Sequence, residues 1–356
     1  MLIRRIVALG AAIGLMLSAA IPVAAHGPHP GANAYDVTVL VSGPSPDADL
    51  VNAWGLSRGP TSPWWIADNG TDLTTVYNAD GTKRVMPRVS LPNGAPTGTV
   101  FNGVSTDFNG DLFLFSGESG NIFGWRPSLG ATAEVGNGDF AGDAVYKGLA
   151  IGMADVGDGL QQYLYATDFH NRRIDVFDGT FAAQTWTDAF VDPRLPKGYS
   201  PFGIQELNGM LFVTFAKTQP GSNDERAGQG RGIVDAFATD GSFAGRVATH
   251  GLLNAPWGLA WAPSGFGRFS RDLLVGNFGD GKVLAYRWNG RGWHPDGQLR
   301  GTNGRPIRIG GLWAIAFGSG GAEPALTNNG PATTLFYTAG PNEEKGGAFG
   351  TVTTAP

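Results

Sequence analysis

The chain has 356 residues and a formal net charge of −5, and charged residues make up only 15% of it. It has no cysteine, which excludes disulfides and a lipidated N-terminal cysteine. Its 25 Lys and Arg residues form no basic stripe, which argues against nucleic acid as a partner. With 56 glycines, the composition is typical of many short strands joined by tight turns rather than of helices.

Residues 1–25 are predicted to form a signal peptide that is removed on export. Two arginines precede an apolar run over 6–20, and Val23-Ala24-Ala25 supplies the cleavage site. The alternative is a transmembrane anchor, but the apolar run is short for a span and Pro22 follows it. The sequence therefore predicts an exported protein, extracellular or periplasmic, without a membrane anchor and with a flexible N-terminus over 26–34. Removing both arginines changes the formal net charge from −5 to −7.

Residues 35–356 are predicted to form one all-β domain, because one strand pattern recurs six times along them. The domain begins with residues 35–41, where polar and apolar residues alternate as in a strand. Each copy then starts with a glycine-centred turn into a hydrophobic strand, and these glycines are Gly55, Gly103, Gly148, Gly203, Gly258 and Gly311. A period of roughly 50 residues is typical of propeller blades, so the sequence predicts a six-bladed β-propeller.

The third copy is the most regular and shows how a blade is arranged. Residues 163–168 and 174–177 predict two strands on either side of a polar tip, and Asp178-Gly179 predicts a hairpin turn into a third strand. This unit resembles the NHL repeat, in which a strand that ends in Asp is followed by an Asn-Arg-Ile strand opening. The first and fifth copies resemble that repeat more loosely.

The whole chain also resembles a family of exported bacterial proteins, which are predicted propellers without an assigned activity. The segments Asn52-Ala53-Trp54-Gly55-Leu56 and Trp65-Ile66-Ala67-Asp68-Asn69-Gly70 carry this resemblance. The resemblance implies the propeller fold and says nothing about chemistry.

The two ends of the chain predict how the ring closes. The sixth copy has candidate strands at 311–317, 335–337 and 348–353, which leaves it one strand short of a blade. Residues 35–41 supply the missing strand if they pair outside the last blade. Because this pairing removes the exposed edge between the termini, we expect a single closed domain.

Polar residues on the loops between second and third strands are the first candidates for a site. In a propeller these loops and the blade-to-blade connections share one face around the central channel, where ligands bind by default. Oxygen-rich loops suit a hard cation such as calcium, and the candidate metal ligands are Asp68, Asp168 and Asn277. The alternative is that Asp and Asn occupy these positions because turns prefer them.

Asparagines that are predicted to precede the innermost strands form a second set of candidates. They are Asn52, Asn102 and Asn254, and their amides would point at the channel mouth to coordinate calcium or hold a polar ligand. The chain broadly resembles six-bladed lactonase propellers, in which Asn together with Glu and Asp holds a metal in this region. No carboxylate is predicted in the inner ring here, which disfavours a catalytic calcium site. Asparagine ending a turn is the alternative.

His170 is the first candidate for acid–base chemistry, because histidine titrates near neutral pH and Asp168 lies close to it in the sequence. A surface histidine without a catalytic role is the alternative. Asn171 and Arg172, on the same tip, are candidates for ligand binding. Residues 217–231 form a long polar insertion in the fourth copy, which is either a lid or a tolerated surface loop.

These patterns favour an exported monomer that binds a small-molecule or protein ligand on its loop face. The alternative is a calcium-dependent hydrolase of the lactonase kind, or a lyase, with its site at the channel mouth. Calcium is the candidate cofactor. Whether the protein is an enzyme stays open at this stage.

Overall fold

The computed structural model describes residues 31–85, 87–137 and 143–356 and shows an all-β molecule. Its 24 strands form six sheets of four strands each. The six-bladed propeller that the repeats predict is thereby confirmed. The predicted signal peptide, and the predicted flexible N-terminus up to residue 30, lie outside the described residues.

The strands of the first three blades follow the order of the sequence repeats. The first strand of the chain is β1 (Tyr35–Gly43). Blade 1 contains β2 (Ala53–Ser57), β3 (Trp64–Asp68), β4 (Leu73–Tyr77) and β5 (Val89–Ser90). Blade 2 contains β6 (Pro96–Phe101), β7 (Phe113–Gly117), β8 (Ile122–Trp125) and β9 (Glu134–Val135). Blade 3 contains β10 (Tyr146–Asp155), β11 (Leu160–Asp168), β12 (Arg173–Asp178) and β13 (Ala183–Gln184).

The last three blades repeat this arrangement. Blade 4 contains β14 (Tyr199–Leu207), β15 (Met210–Lys217), β16 (Gly232–Ala238) and β17 (Phe243–Thr249). Blade 5 contains β18 (Pro256–Trp261), β19 (Leu273–Asn277), β20 (Val283–Trp288) and β21 (Trp293–Gln298). Blade 6 contains β22 (Leu312–Phe317), β23 (Leu335–Ala339) and β24 (Gly347–Thr354). One short α-helix, α1 (Ala325–Asn329), connects β22 to β23.

The first strand of each blade lies at the centre of the molecule. These inner strands are β2, β6, β10, β14, β18 and β22, and each contacts the next around a ring that β22 and β2 complete. Every residue of β2 is buried, because both of its faces pack against neighbouring blades. This strand therefore has an almost continuous apolar sequence and no exposed face.

The ring closes through β1, as the ends of the sequence predict. This strand pairs antiparallel with β24, from Tyr35 opposite Thr354 to Gly43 opposite Gly347, and completes the fourth strand of blade 6. The hydroxyl of Tyr35 also donates to the Phe266 carbonyl at 3.0 Å and so ties β1 to blade 5. Strand pairing between the two ends of the chain leaves no open edge between the first and last blades.

Glycine recurs on the inner strands because neighbouring strands approach each other closely there. A Cβ atom on Gly203 would lie 2.1 Å from the Trp257 carbonyl oxygen, and one on Gly98 would lie 2.3 Å from the Leu149 nitrogen. The equivalent residues of the other blades are Gly55, Gly148, Gly258 and Ala314. The predicted glycine-centred turn into a strand is found at Gly311, which precedes β22. The other predicted glycines lie elsewhere: Gly103 follows β6, and Gly55, Gly148, Gly203 and Gly258 lie within their inner strands.

The strand directions give the propeller two different faces. Loops between second and third strands, together with the blade-to-blade connections, lie on one face, which we call the loop face. Loops between first and second strands, and between third and fourth strands, lie on the opposite face. Each inner strand runs from the loop face to the opposite face, so residues just before it and just after it are far apart.

Candidate functional site

Aromatic side chains close the central channel near the loop face. We call the residue at which an inner strand lies closest to the next one (Gly55 in blade 1 and its equivalents) the close-approach position. The residue before it points towards the axis, and in blades 1, 4, 5 and 6 it is aromatic: Trp54, Phe202, Trp257 and Trp313. Trp54 and Trp313 stack with ring centroids 3.6 Å apart, and the ring of Phe278 stacks on Trp313 at 4.0 Å. We call these five residues the aromatic plug. Their packing makes this end of the channel apolar and dry.

Two indole N–H groups of the plug have polar partners above it. Trp313 Nε1 donates to Asn52 Oδ1 at 2.8 Å, and Trp257 Nε1 donates to the Lys147 carbonyl at 2.8 Å. Because the Asn52 oxygen accepts this bond, its amide nitrogen must face away from the plug. These two bonds fix the orientation of the Trp313 and Trp257 rings and of the Asn52 amide.

Lys147 occupies the plug position of blade 3. Only 2% of its surface is exposed, and its ammonium lies 5.3 Å from the centre of the Trp54 ring. An ion pair joins its Nζ to Glu118, and Asp224 lies 3.8 Å from the same nitrogen. Burying an ammonium group without such partners costs free energy. The burial of Lys147 therefore requires carboxylates at the channel mouth.

A chain of hydrogen bonds extends from Glu118 across blade 1 to blade 6. Asn69 Nδ2 donates to Glu118 Oε2 at 3.0 Å, and Asn52 Nδ2 donates to Asn69 Oδ1 at 3.1 Å. The same Asn52 nitrogen donates to Glu344 Oε2 at 2.8 Å. The chain of bonds holds both carboxylates beside Lys147, although they come from different blades.

The loop that carries Glu344 is held in a strained conformation. Asn342, Glu343 and Glu344 have φ values of 59°, 55° and 65°, all in the left-handed region. Side chains with a Cβ atom pay roughly 1–2 kcal/mol per residue for this conformation. Such strain persists only where the surroundings enforce it, and here it places Glu344 against Asn52.

The insertion over residues 217–231 brings two more carboxylates to the same place. The Arg226 backbone N–H donates to the Lys217 carbonyl at 2.6 Å, so the insertion folds back as a hairpin with Asp224 and Glu225 near its return. The pKa of Glu225 is raised to about 7, mainly by burial, while the charge of Lys147 lowers it and the charges of Glu344 and Asp224 raise it. Burial raises the pKa of the Glu344 carboxyl as well.

These residues form one site, which we call the acidic mouth. Its members are Asn52, Asn69, Glu118, Lys147, Asp224, Glu225 and Glu344. Four carboxyl groups face a single ammonium there, so the mouth is negative once its carboxyls are ionised. Because the apolar plug lies beneath these carboxylates, the negative electrostatic potential of the mouth is concentrated at its opening.

The three asparagines of the predicted inner ring do not converge. Asn52 is part of the acidic mouth. Asn102 lies on the opposite face after β6, where its Nδ2 donates to the Asp111 carbonyl at 2.8 Å, so its predicted position before an inner strand is wrong. The physical reason is that Gly98, not Gly103, makes the close approach in blade 2. Asn254 is on the loop face, but its Oδ1 accepts from the Gly228 N–H at 2.5 Å and so anchors the insertion.

The three predicted metal ligands end the second strands of separate blades and do not converge on one point. Asp168 Oδ1 accepts from the Val145 N–H at 3.2 Å and its Oδ2 from the Asn171 side chain at 2.7 Å. Asn277 Oδ1 accepts from the Asn254 N–H at 3.1 Å. Asp68 is fully buried, and neither of its oxygens has a hydrogen-bond partner among the described residues.

His170 and Arg172 line a different part of the loop face. They border a cleft of about 440 Å³ between the tip of blade 3 and the insertion. The Nδ1 atom of His170 lies 2.6 Å from Asn223 Oδ1, and the oxygens of Asp168 are taken up by its own turn. The structure therefore brings His170 to the insertion rather than to Asp168.

The described geometry of the acidic mouth does not gather around one point the oxygen ligands that calcium needs. The Asn52 amide oxygen is used by Trp313, and the group that faces Glu344 is an N–H donor. Within residues 31–85, 87–137 and 143–356, no group of three or more His, Asp or Glu side chains is arranged to hold a metal ion. Calcium prefers six to eight oxygen ligands, so these residues do not fit it.

The sequence analysis missed Lys147, Asp224 and Glu225 as members of a site. For Lys147 a signal exists, because Lys147-Gly148 aligns with Trp54-Gly55 in the repeat and places a charge where other blades have tryptophan. For Asp224 and Glu225 no local signal exists, since only the folded insertion brings them to the channel.

No helix of the described part of the chain is long and apolar enough to cross a membrane.

Comparisons with known proteins identify relatives but no activity. The chain is 29% identical to uncharacterized protein R648 of Acanthamoeba polyphaga mimivirus over 349 residues, which is 92% of this chain and 82% of that protein. It is similar in fold to virginiamycin B lyase from Staphylococcus aureus, with a TM-score of 0.50, 16% identity, and coverage of 90% of this chain and 100% of that one. At this identity the likeness shows the propeller fold alone.

No family model matches the chain. It is 31% identical to uncharacterized protein L690 of the same mimivirus over 289 residues, which is 76% of this chain and 74% of that protein. The chain therefore belongs to the same protein family as L690.

Proposed function

We propose that the protein binds a small organic cation, an alkylamine or a diamine, at its acidic mouth. One observation carries this proposal: four carboxyl groups and one buried ammonium meet above the aromatic plug. A positive ligand would relieve the repulsion among these carboxylates, whereas an anion would increase it. The plug beneath excludes water and so strengthens each charge–charge contact.

An organic cation suits these residues better than a metal ion. An ammonium group donates hydrogen bonds, and Glu344 and Glu118 each present carboxylate oxygens that accept them. The amide of Asn52 donates towards Glu344 and offers a metal no oxygen. Calcium binding remains the alternative that the sequence analysis raised, and a melt with calcium and with a chelator distinguishes it.

Glu225 makes the proposed binding depend on pH. Its pKa is raised to about 7, so the group is largely protonated below that pH and largely ionised above it. Only the ionised form attracts a cation. Affinity for a diamine should therefore rise as the pH passes from below 7 to above 7, and a Glu225→Gln variant should lose this rise.

Isothermal titration with putrescine tests the proposal, with butane-1,4-diol as the uncharged ligand of the same length. We expect putrescine to bind the wild type and the diol not to bind. Glu344→Gln should weaken putrescine binding about tenfold, since it removes one charge-assisted contact. The variant keeps an oxygen that can accept from Asn52, so its fold should be preserved.

The adjacent residue supplies a matched control. Glu343 lies on the same loop, but its side chain is 88% exposed and pairs with Lys345. Glu343→Gln should leave putrescine affinity unchanged. Equal losses in the two variants would mean that general surface charge, and not the acidic mouth, attracts the ligand. Binding of the diol as tightly as putrescine would contradict the proposal outright.

A lyase or hydrolase is the second candidate, and Glu225 is the observation that favours it. A carboxyl group with a pKa of about 7 is suited to give and take a proton at neutral pH, and Lys147 nearby can stabilise a negative charge. A screen of lactone and ester substrates tests this candidate. Turnover by the wild type that Glu225→Gln removes would favour an enzyme over a binding protein.

Export as a monomer is part of the same proposal, as is a distant kinship to NHL-repeat propellers. Support comes from the sequence of residues 1–25 and from the regular third blade. N-terminal sequencing of protein recovered from the medium or the periplasm should find a chain that begins at His26. An intact Met1 in that material would rule out cleavage.

A further inference from the structure

A second cavity lies on the opposite face, at the other end of the central channel from the acidic mouth. Its volume is about 380 Å³, and it narrows inward to a small space bounded by Trp257 of the aromatic plug. We call this cavity the funnel. The plug lies between the funnel and the acidic mouth, so a ligand in one does not reach the other.

Six equivalent residues form the rim of the funnel, one from each blade. Each lies three residues after the close-approach position, and they are Arg58, Phe101, Ile151, Glu206, Trp261 and Phe317. Four of them are apolar. The two charged ones belong to blades 1 and 4, which have two blades between them on either side of the ring. A cation and an anion therefore face each other across an apolar opening.

Arg58 has donors left for a ligand. Its Nε donates to the Phe317 carbonyl at 3.0 Å, and its guanidinium lies 5.6 Å from the centre of the Trp64 ring. It forms no ion pair with any carboxylate of the described residues, and burial lowers its pKa. A guanidinium fixed at Nε keeps its outer nitrogens in the fork geometry that matches a carboxylate.

Glu206 is the corresponding acceptor on the far side. One oxygen, Oε1, accepts from the Gly209 N–H at 2.5 Å, which holds the carboxyl in place. No cation within residues 31–85, 87–137 and 143–356 pairs with it, and burial raises its pKa. The second oxygen is thus available to an incoming ammonium group.

We infer that the funnel binds a small zwitterion whose anionic and cationic groups are separated by an apolar segment. The anionic group pairs with Arg58, the ammonium group pairs with Glu206, and the apolar segment contacts Phe101, Trp261 and Phe317. A simple anion would face repulsion from Glu206, and a simple cation would face repulsion from Arg58. Only a ligand with both charges satisfies both sides of the rim at once.

Isothermal titration with 6-aminohexanoate, hexanoate and hexylamine tests the inference. All titrations use the Glu344→Gln background, which weakens amine binding at the acidic mouth, and hexylamine measures the amine binding that remains there. We expect 6-aminohexanoate to bind about tenfold more tightly than either singly charged compound. Glu206→Gln should remove its advantage over hexanoate, and Arg58→Gln its advantage over hexylamine.

Two controls separate loss of a charge from loss of the fold. Glu206→Gln keeps an oxygen for Gly209 and should melt like its parent. Arg291→Gln changes an exposed arginine on another hairpin and should leave the affinity for 6-aminohexanoate unchanged. Equal affinities for the three compounds, no binding of any of them, or unaltered selectivity in Glu206→Gln would overturn the inference. None of these results depends on whether putrescine binds the acidic mouth.

Discussion

Lys147 shows how one residue of a repeat can create a site. Blades 1, 5 and 6 have tryptophan at the plug position, and those rings pack against one another. The lysine of blade 3 keeps its aliphatic stem in the same apolar layer, while its ammonium requires Glu118 as a partner. The charged mouth thus follows from one charged residue at a position that is aromatic in four of the six blades.

Asp68 gives a residue-level prediction about pH. Burial raises its pKa, so the folded protein holds its proton at pH values where the unfolded chain has released it. The free energy of unfolding should therefore fall as the pH rises above the ordinary carboxyl range of about 3.8. Blade 5 has Asn277 at the equivalent position. We expect Asp68→Asn to stabilise the protein in neutral buffer and to flatten this fall, as measured by urea denaturation at several pH values.

Asp168→Asn is the matched control for this prediction. The same strand end in blade 3 carries a carboxylate whose two oxygens accept bonds from Val145 and Asn171. An amide there would turn an N–H group towards one of these donors, so this variant should lose about 1–3 kcal/mol of stability. Stabilisation by both substitutions, or by neither, would contradict the distinction drawn between the two carboxyls.

The sequence predicted that the site lies on the loop face, but of the acidic mouth it identified only Asn52 as a candidate site residue. Asp168 and Asn277 are common turn residues, and the structure shows Asp168 bonded to its own turn and Asn277 bonded to the connection that precedes β18. Asn52 was identified from its place before an inner strand, and it does lie at the mouth. Lys147 and Glu225 could not be ranked above other charged residues, because their importance arises from contacts between distant blades.

At the scale of single elements, the inner strands explain the glycine repeat. In blades 1 to 5 the inner strand lies so close to the next one that a methyl group at the contact point has no room, whereas blade 6 has Ala314 there. The sequence shows several glycines near each inner strand, and choosing among them requires the strand register. The predicted turn into a strand occurs at Gly311, whereas Gly55, Gly148, Gly203 and Gly258 lie at the contact points within their strands. Gly98 and Ala314 make the equivalent contacts in blades 2 and 6.

Gly203→Ala tests this explanation. Its Cβ would lie 2.1 Å from the Trp257 carbonyl oxygen, which belongs to a strand held on both sides. We expect a loss of about 1–3 kcal/mol in the free energy of unfolding, from strand displacement. Ala314→Gly, at the equivalent position of blade 6, should cost no more than about 1 kcal/mol, because it only adds backbone freedom. Chemical denaturation measures both, and a larger loss in Ala314→Gly would refute the close-approach account.

The insertion of blade 4 is an element whose role the sequence left open. Its composition is polar and allows either a lid or a surface loop. The structure favours a lid, since Asn254 holds its backbone at Gly228 and its hairpin lies beside Lys147. These contacts are long-range, which is why local patterns cannot reveal them.

At the scale of the whole molecule, β1 joins the two ends of the chain and the ring depends on it. A chain that starts at residue 44 lacks β1, which exposes the edge of β24 and removes the buried Tyr35 ring. Loss of one buried aromatic side chain costs about 3–5 kcal/mol, so this truncated protein should melt at a clearly lower temperature. A chain that starts at residue 31 keeps β1 and should melt like the full-length protein. Equal melting of the two truncated chains would contradict closure through β1.

The fold also separates two binding regions by one apolar layer. The acidic mouth lies on the loop face and the funnel on the opposite face, with the aromatic plug between them. Ligands of different charge patterns are therefore expected at the two ends of one channel. The fold itself was predictable from the repeat, whereas this division of the channel depends on side chains that meet only in the closed ring.

A crystal structure of the protein grown with putrescine above pH 7 tests the central claim most directly. The account predicts density for the diamine on the loop face, with its ammonium groups within hydrogen-bond distance of Glu344 and of Glu118 or Glu225. It also predicts that Lys147 keeps its contact with Glu118. Density in the funnel alone, or a mouth without ligand at a putrescine concentration that saturates the protein in solution, would contradict it.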